Sequence, residues 1–148
     1  MEWHPSAAAT LLAAGFPAIH ADIRDVDYTP FVGKTDLLWA SPPCQAGSMA
    51  GQRLGSLDER NGWPWTFAVI DTVKPTWFLA ENVLGWTYHR DLCGHADHTC
   101  PGCYWEGYIL AELAQRFPFT GSWRLDAADF GVPQSRRRVI LWGGPLPL

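Results

Sequence analysis

The sequence is poor in positive charge and in long apolar runs. Eleven lysine and arginine residues stand against fifteen aspartate and glutamate residues, which gives a formal net charge of −4. No run approaches the ~20 apolar residues of a membrane span, and residues 1–15 lack the basic start and long apolar core of a secretory signal. We therefore expect a cytoplasmic protein with no overall attraction to polyanions, so any contact with nucleic acid must come from local patches.

Repeats, low-complexity segments and linkers are also lacking. A chain of 148 residues is about the size of one domain. Its 47% apolar and 18% charged residues are ordinary for a globular protein. We expect one domain over residues 1–148, interrupted by an irregular Cys/His-rich insert at about residues 91–103.

Cysteine is scarce, with four residues in the chain. In a cytoplasmic protein such residues are more often catalytic or metal-bound than paired in disulfides. In the insert "CGHADHTCPGC", Cys100 and Cys103 have the spacing of a zinc knuckle, and Cys93 with His95 or His98 would complete a tetrahedral set. A zinc site, reduced thiols on a surface loop and a redox-active pair all fit this pattern.

Three continuous apolar runs, at 37–40, 77–80 and 139–142, predict strands. Continuous apolarity is typical of strands that are covered on both faces, as in a parallel sheet. Helical patterns lie at 5–14, 63–73 and 104–117, and in the second of these Trp65, Val69 and Val73 recur four residues apart. Strands that alternate with helices predict an α/β fold with a parallel sheet.

Candidate reactive side chains follow two of these runs. In open α/β sheets, the chemistry is carried out beyond the carboxyl ends of the strands. Cys44 follows the first run behind Pro42 and Pro43, whose rings stiffen the backbone. Glu81 and Asn82 follow the second run. Taken alone, Cys44 is typical of an unreactive cysteine in a turn. Glu81 alone is typical of a residue that caps a helix or pairs with an arginine.

Arg136 and Arg138 stand just before the third run. They alternate along the start of the predicted strand, so both side chains should point to the same side. Together with Cys44 and Glu81, these arginines make the chain resemble the DNA (cytosine-5) methyltransferase family. The motifs "PPCQ" at 42–45, "ENV" at 81–83 and "LDAADFGVPQSRRRVIL" at 125–141 stand in the family's order. Each would be weak alone, but three in order make an accident improbable. "DERNG" at 58–62 adds a weaker match.

The resemblance implies a Rossmann-like S-adenosylmethionine-dependent fold that transfers a methyl group to carbon 5 of cytosine in DNA. Cys44 would be the nucleophile that adds to carbon 6, and Glu81 would bind or protonate ring nitrogen 3. Arg138 and Arg136 would hold the base and meet phosphate. The loop at 46–55 would close behind a base that has left the stack. Further candidates for contact with substrate or loop are Gln45, Ser48, Asn82 and Gln134.

The resemblance also implies a cofactor site. "EWHPSAAATL" resembles the segment whose acidic residue binds the cofactor ribose and whose next side chain packs on the adenine, which here are Glu2 and Trp3. "HADIRD" resembles the loop that places Asp22 near the adenine amino group and Ile23 beside the ring. Pro42 completes the set of cofactor-binding candidates.

Two family elements have no counterpart in the sequence, so we expect a truncated fold. They are the first strand with its glycine-rich turn, which cradles the methionine end of the cofactor, and the region that recognises the DNA sequence. The chain would be half of a split enzyme with a complementary subunit, a fragment, or a remnant. The alternatives are a non-catalytic scaffold that binds nucleic acid or a partner, and a thiol oxidoreductase that uses Cys100 and Cys103.

Overall fold

The computed structural model describes residues 1–45, 57–88 and 101–148. In these three ranges, no helix has the length and apolarity needed to cross a membrane. The helices are α1 (Pro5–Ala13), α2 (Trp63–Val73), α3 (Pro101–Tyr104) and α4 (Ala111–Arg116), and a π-helical segment, Trp105–Leu110, joins α3 to α4. The strands are β1 (Leu37–Ala40), β2 (Trp77–Val83), β3 (Phe119–Asp126) and β4 (Arg137–Gly144).

The predicted helices are confirmed. α1 begins at Pro5, whose fixed φ suits a first helical turn, and Gly15 follows its end with a φ of +81°. The α2 stripe is confirmed at Val69 and Val73, which are buried, and wrong at Trp65, which is 47% exposed whereas Trp63 is fully buried. The buried face of α2 also contains Phe67 and Ile70. Four-residue spacing alone did not show which of the two tryptophans is buried.

The strands form one mixed sheet in the order β1-β2-β4-β3. β1 and β2 are parallel, whereas β4 is antiparallel to both β2 and β3. The α/β class is therefore confirmed and the purely parallel sheet is wrong. Continuous apolarity in β4 reflects burial and not strand direction, since the buried residues Val139 and Leu141 face the core.

Strand β3 was missed by the sequence analysis. Most of its residues are exposed or half-buried, so it lacks a continuous apolar run. A short connection that contains the 3₁₀ turn Ala127–Phe130 links it to β4, as is usual for antiparallel neighbours. β3 is thus the outer strand at one edge of the sheet, and β1 is the outer strand at the other.

The core lies on one face of the sheet, between the strands and the helices α2 and α4. From the sheet, Phe78, Ala80, Val139 and Leu141 contribute to it, and they pack with Trp63, Phe67, Trp86, Trp105, Ile109 and Leu113. The other face is less covered at β1, where Leu37 is 51% and Trp39 is 54% exposed. The sheet therefore has one well-packed face and one face that is partly open at the β1 edge.

Candidate active site at the sheet edge

Three strand termini lie together at the end of the sheet where β1 and β2 finish, which we call the sheet edge. β1 and β2 are parallel, so their carboxyl ends lie side by side. β4 runs in the opposite direction, and its register pairs Arg138 with Val83 and Ile140 with Glu81. Because β4 is antiparallel, the start of this strand lies beside the end of β2. The mixed sheet thereby brings "PPCQ", "ENV" and "SRRR" to one place.

Glu81 is the centre of the charged part of this edge. Its Oε1 atom lies 2.6 Å from Arg138 Nε and 3.9 Å from Arg136 Nη2. Ser41 Oγ donates to Glu81 Oε2 at 3.4 Å. The expectation that both arginines point to one side is confirmed. Arg138 makes the close pair, and Arg136 lies at the outer limit of an ion pair.

The two arginines have N–H donors without a partner among the described residues. Arg138 Nη1 donates to the carbonyl oxygen of Arg137 at 2.8 Å, and Arg136 is 52% exposed in its side chain. Within the described ranges, no carboxylate other than Glu81 pairs with either residue. One carboxylate therefore faces two guanidinium groups, which leaves positive charge and N–H donors available to an anionic or hydrogen-bonding ligand.

Cys44 is exposed and follows Ser41 by three residues, and the Ser41 hydroxyl contacts Glu81 of this cluster. The backbone that leads to Cys44 is held by Asn82, which is 2% exposed and whose Nδ2 donates to the Pro42 carbonyl oxygen at 2.9 Å. Asn82 alternates with Glu81 along β2, so the two side chains point to opposite faces. Asn82 therefore contacts the Pro42–Cys44 segment from the core side of the sheet.

The other substrate candidates are less constrained. Gln45 and Gln134 are both exposed. The backbone N–H of Gln134 donates to the Val132 carbonyl oxygen at 2.7 Å. Ser48 and the loop 46–55 lie outside the described residues, so the predicted closing of this loop stays a prediction.

Asp126, which the sequence analysis missed, fixes the segment that leads into β4. Its carboxylate accepts hydrogen bonds from Ser135 Oγ at 2.8 Å, Arg136 N at 2.8 Å and Ala128 N at 3.2 Å. The Ser135 hydroxyl, followed by these backbone N–H groups, lowers the pKa of Asp126. The signal was an aspartate just before a turn, a position from which its side chain caps the following N–H groups. Asp126 thus holds the backbone of Arg136.

The four predicted cofactor residues from the start of the chain lie on two adjacent segments. A parallel bridge pairs Glu2 with His20, and Ala21 N donates to the Glu2 carbonyl oxygen at 3.2 Å. This bridge brings residues 2–3 alongside residues 20–23. Trp3 is 70% exposed, which leaves its ring open to stacking.

The side chains of this pair of segments are partly engaged already. Glu2 Oε1 accepts from His4 N at 2.8 Å. Both Asp22 oxygens accept from the Arg24 side chain, at 2.9 and 2.7 Å, and this pairing lowers the pKa of Asp22 to about 2. The carbonyl oxygen of Ile23 accepts from the Tyr28 hydroxyl at 2.9 Å. The exposed ring of Trp3 is thus the part of the set most open to a ligand.

The predicted zinc ligands fall mostly outside the described residues. Cys93, His95 and Cys100 lie in the undescribed range 89–100. Cys103 lies in α3 and is 4% exposed. The parts of the chain that are described contain no group of three or more residues able to hold a metal ion. A buried Cys103 also disfavours the thiol oxidoreductase alternative, because thiol exchange needs an accessible sulfur.

Comparisons with known proteins agree with this geometry. The chain is 33% identical over 143 residues to the type II methyltransferase M.NlaIV of Neisseria lactamica. It is 32% identical over 143 residues to M.NgoBV of Neisseria gonorrhoeae. Each alignment covers 93% of this chain and 32% of the relative, so the chain spans about a third of the length of these relatives.

A solved structure supports the fold. The Entamoeba histolytica methyltransferase EhMeth is similar with a TM-score of 0.68 at 14% identity, over 99% of this chain and 44% of that chain. The family model for C-5 cytosine-specific DNA methylases matches residues 1–144. The chain therefore belongs to the C-5 cytosine-specific DNA methylase family.

Proposed function

We propose that this chain carries the catalytic residues of a DNA (cytosine-5) methyltransferase. In this proposal, a methyl group passes to carbon 5 of cytosine in DNA while the base is bound covalently to Cys44. The observation that carries it is that the exposed Cys44 follows the end of β1, next to the end of β2, where Glu81 pairs with Arg138. The names of the two relatives place them among type II methyltransferases, which supports a role in DNA modification.

Cys44 acts as the nucleophile. Carbon 5 of cytosine is too electron-poor to take a methyl group unaided, so the thiolate first forms a C–S bond at carbon 6. This addition makes carbon 5 nucleophilic, and S-adenosylmethionine supplies the methyl group. A base then removes the carbon 5 proton, and the electron pair of that C–H bond expels the Cys44 thiolate. No oxidant or reductant enters, and the cysteine is regenerated.

Glu81 and the two arginines prepare the ring for this addition. Glu81 contacts ring nitrogen 3, where a hydrogen bond or a proton draws electrons from carbon 6. Arg138, 2.6 Å from Glu81, holds that carboxyl group and the base in one orientation. Arg136, with an exposed guanidinium group, contacts the base or a DNA phosphate.

The start of the chain fits the adenosine end of the methyl donor. Glu2 would bind the ribose and the exposed ring of Trp3 would stack on the adenine. Asp22 and Ile23 lie on the segment that the Glu2–His20 bridge brings alongside. Pro42 completes the set as proposed. Zinc is not part of this mechanism and stays a prediction, as does the cytoplasmic location.

We further propose that the active form includes a complementary subunit that adds a strand along β1. The outer edge of β1 has no strand partner among the described residues, so its outward N–H and C=O groups are unpaired there. Leu37 and Trp39, on the open face of this strand, are both about half exposed. A parallel strand would pair the edge, and the element that follows it would cover both side chains. The same subunit would supply the region that recognises DNA sequence.

Hydrogen exchange tests the subunit proposal directly. The amides of residues 37–40 that face away from β2 should exchange rapidly in the isolated chain and slowly in protein purified from its natural host. Trp39→Asp should abolish this protection, whereas Trp65→Asp, which changes a tryptophan of similar exposure on α2, should preserve it. A host-purified protein that is monomeric and has an unprotected β1 edge would contradict the proposal.

Covalent trapping tests the chemistry. In DNA that contains 5-fluorocytosine, fluorine blocks the loss of a proton from carbon 5, so the enzyme stays attached through Cys44. Host-purified wild type and Cys100→Ser should both form the adduct, and Cys44→Ser should not. An adduct that depends on Cys100, or DNA binding without any adduct in the wild type, would replace this proposal with an alternative.

A further inference from the structure

We propose that Gly62 is a positioning residue for Cys44, because its missing side chain makes room for the Pro42–Pro43 turn. This inference rests on the proposed role of Cys44 as the nucleophile. Gly62 is the last residue of the "DERNG" segment, precedes α2 and lies 18 positions along the chain from Cys44. The structure nevertheless brings it against the two prolines that lead to the thiol.

The contact leaves no space for a side chain. A Cβ atom built at Gly62 would lie 2.6 Å from Pro43 Cδ, 3.3 Å from Pro42 Cβ and 3.6 Å from Pro42 Cα. A carbon–carbon approach of 2.6 Å is far inside the ~3.5–4.0 Å at which such atoms attract. Any residue other than glycine must therefore push the prolines away or move α2.

The prolines cannot move freely. Pro42 is buried, and its carbonyl oxygen accepts a hydrogen bond from buried Asn82 at 2.9 Å. The two rings fix φ at consecutive positions, so little rotation is available to absorb a displacement. Because Cys44 is the next residue, a shift of Pro43 passes directly to the thiol.

The start of α2 is also anchored. Trp63 is fully buried, which holds the helix in the core. Thr66 donates to the Gly62 carbonyl oxygen through both Oγ1, at 2.9 Å, and its backbone N–H, at 3.0 Å, so Gly62 moves with the helix. Asn61 Nδ2 donates to the Tyr104 hydroxyl at 3.0 Å. The helix therefore cannot withdraw from the prolines without breaking buried contacts.

The requirement for glycine comes from this contact and not from the backbone. Gly62 has a φ of −84° and a ψ of −5°, which any L residue adopts. Alanine at this position is consequently free of backbone strain, and its effect reports on the prolines. Serine adds the same Cβ atom but is a good N-cap, so it separates the contact from helix capping.

The proposal predicts a specific loss of reaction geometry. A displacement of about 1 Å at a reacting atom can cost on the order of 10²-fold in rate. We expect Gly62→Ala and Gly62→Ser to lower kcat for methyl transfer by about 10- to 100-fold, with DNA affinity unchanged. The matched control is Gly107→Ala, because a Cβ atom at Gly107 meets nothing within 4 Å.

A fluorine label on Cys44 gives a readout that does not need activity. The ¹⁹F resonance of this label, assigned by its absence in Cys44→Ser, should move in both Gly62 variants and stay in place in Gly107→Ala. A moved resonance with no methyl transfer by wild type purified from its natural host would preserve this inference and reject the proposed function. A wild-type resonance and wild-type kcat in Gly62→Ala would overturn the inference.

A double-mutant cycle keeps the test decisive if Gly62→Ala is unstable. Pro43→Ala removes the Cδ atom that the new methyl group would strike. In the Pro43→Ala background, Gly62→Ala should therefore cost much less stability than it costs in the wild type. Equal costs in the two backgrounds, measured by chemical denaturation, would show that the contact does not couple the two residues and would also overturn the inference.

Discussion

Two arginine–carboxylate clusters on this chain differ in how completely their donors are used. Arg116 makes bidentate contacts of 2.7 Å with Asp71, contacts Glu112 Oε2 and the Glu112 carbonyl oxygen at 2.7 Å, and lies 4.9 Å from the Phe67 ring centroid. At the sheet edge, one carboxylate, Glu81, serves two arginines. In the first cluster, four of the five guanidinium N–H groups are hydrogen-bonded, and we call this cluster saturated. In the second cluster, more N–H donors are free among the described residues. A binding site needs N–H donors that are free to contact a ligand. An arginine whose donors are already hydrogen-bonded within the protein has a structural role instead.

The largest test of this difference exchanges one carboxylate in each cluster. Glu81→Gln keeps the size of the side chain but removes the acid, so methyl transfer should fall by about 10²- to 10⁴-fold with little change in stability. Glu112→Gln, in the saturated cluster, should leave methyl transfer unchanged. Single-turnover transfer of a tritiated methyl group to DNA measures both. Equal rates for the two variants would mean that donor saturation does not distinguish the clusters.

The next largest effect should distinguish Arg138 from Arg136 in their contributions to methyl transfer. Arg138→Lys keeps the charge but loses the planar fork 2.6 Å from Glu81, so we expect a loss of about 10²-fold in kcat. Arg136→Lys should cost less in kcat, because the Arg136 contact to Glu81 is 3.9 Å long. Arg136→Ala should instead reduce the salt dependence of DNA binding by a slope of about 1. Fluorescence anisotropy over a range of salt concentrations gives that slope, and an unchanged slope would remove Arg136 from the DNA contacts.

The saturated cluster should respond in stability. Arg116→Met keeps the apolar stem over Phe67 and removes the ion pairs, so the free energy of unfolding should fall by about 1–2 kcal/mol. Asp71 is half exposed, which keeps this value modest. Urea denaturation measures the loss, and methyl transfer per folded molecule should stay at the wild-type level. A stable Arg116→Met protein with reduced kcat would reverse the assignment of roles.

The sequence predicted the strands and helices that carry the two clusters but not how these elements are arranged. The runs at 37–40, 77–80 and 139–142 are strands, and the segments that begin at Pro5 and Trp63 are helices. Strand direction was not predictable from apolarity, and β4 is antiparallel. That direction decides the site, because only an antiparallel β4 brings the start of "RRR" to the end of "ENV".

The roles of Gly62 and Asp126 were out of reach for a related reason. Each acts through a contact with a distant or folded-back segment, Gly62 with Pro43 and Asp126 with Arg136. Motif order and residue type report on chemistry, whereas these contacts exist only after the chain has folded. The saturation of Arg116 is equally invisible, since Asp71 lies on another helix.

The smallest expected effect is a pH dependence centred on Asp126. Its pKa in the folded chain is lowered, first by the Ser135 hydroxyl and then by backbone N–H groups. A carboxyl group with a lowered folded pKa stabilises the fold above its unfolded pKa of about 3.9. That contribution is lost as the pH falls below about 4, because protonation removes the acceptor for Ser135 and for Arg136 N. Asp126→Asn should therefore flatten the fall in melting temperature below pH 4, and Asp129→Asn, which changes an exposed carboxylate on the same turn, should not. Asp126 holds the backbone that leads into β4, so below pH 4 the backbone amide of Arg136 should exchange faster before that of Arg116 does. Amide exchange at the two residues measures this order, and the reverse order would show that the saturated cluster is the weaker one.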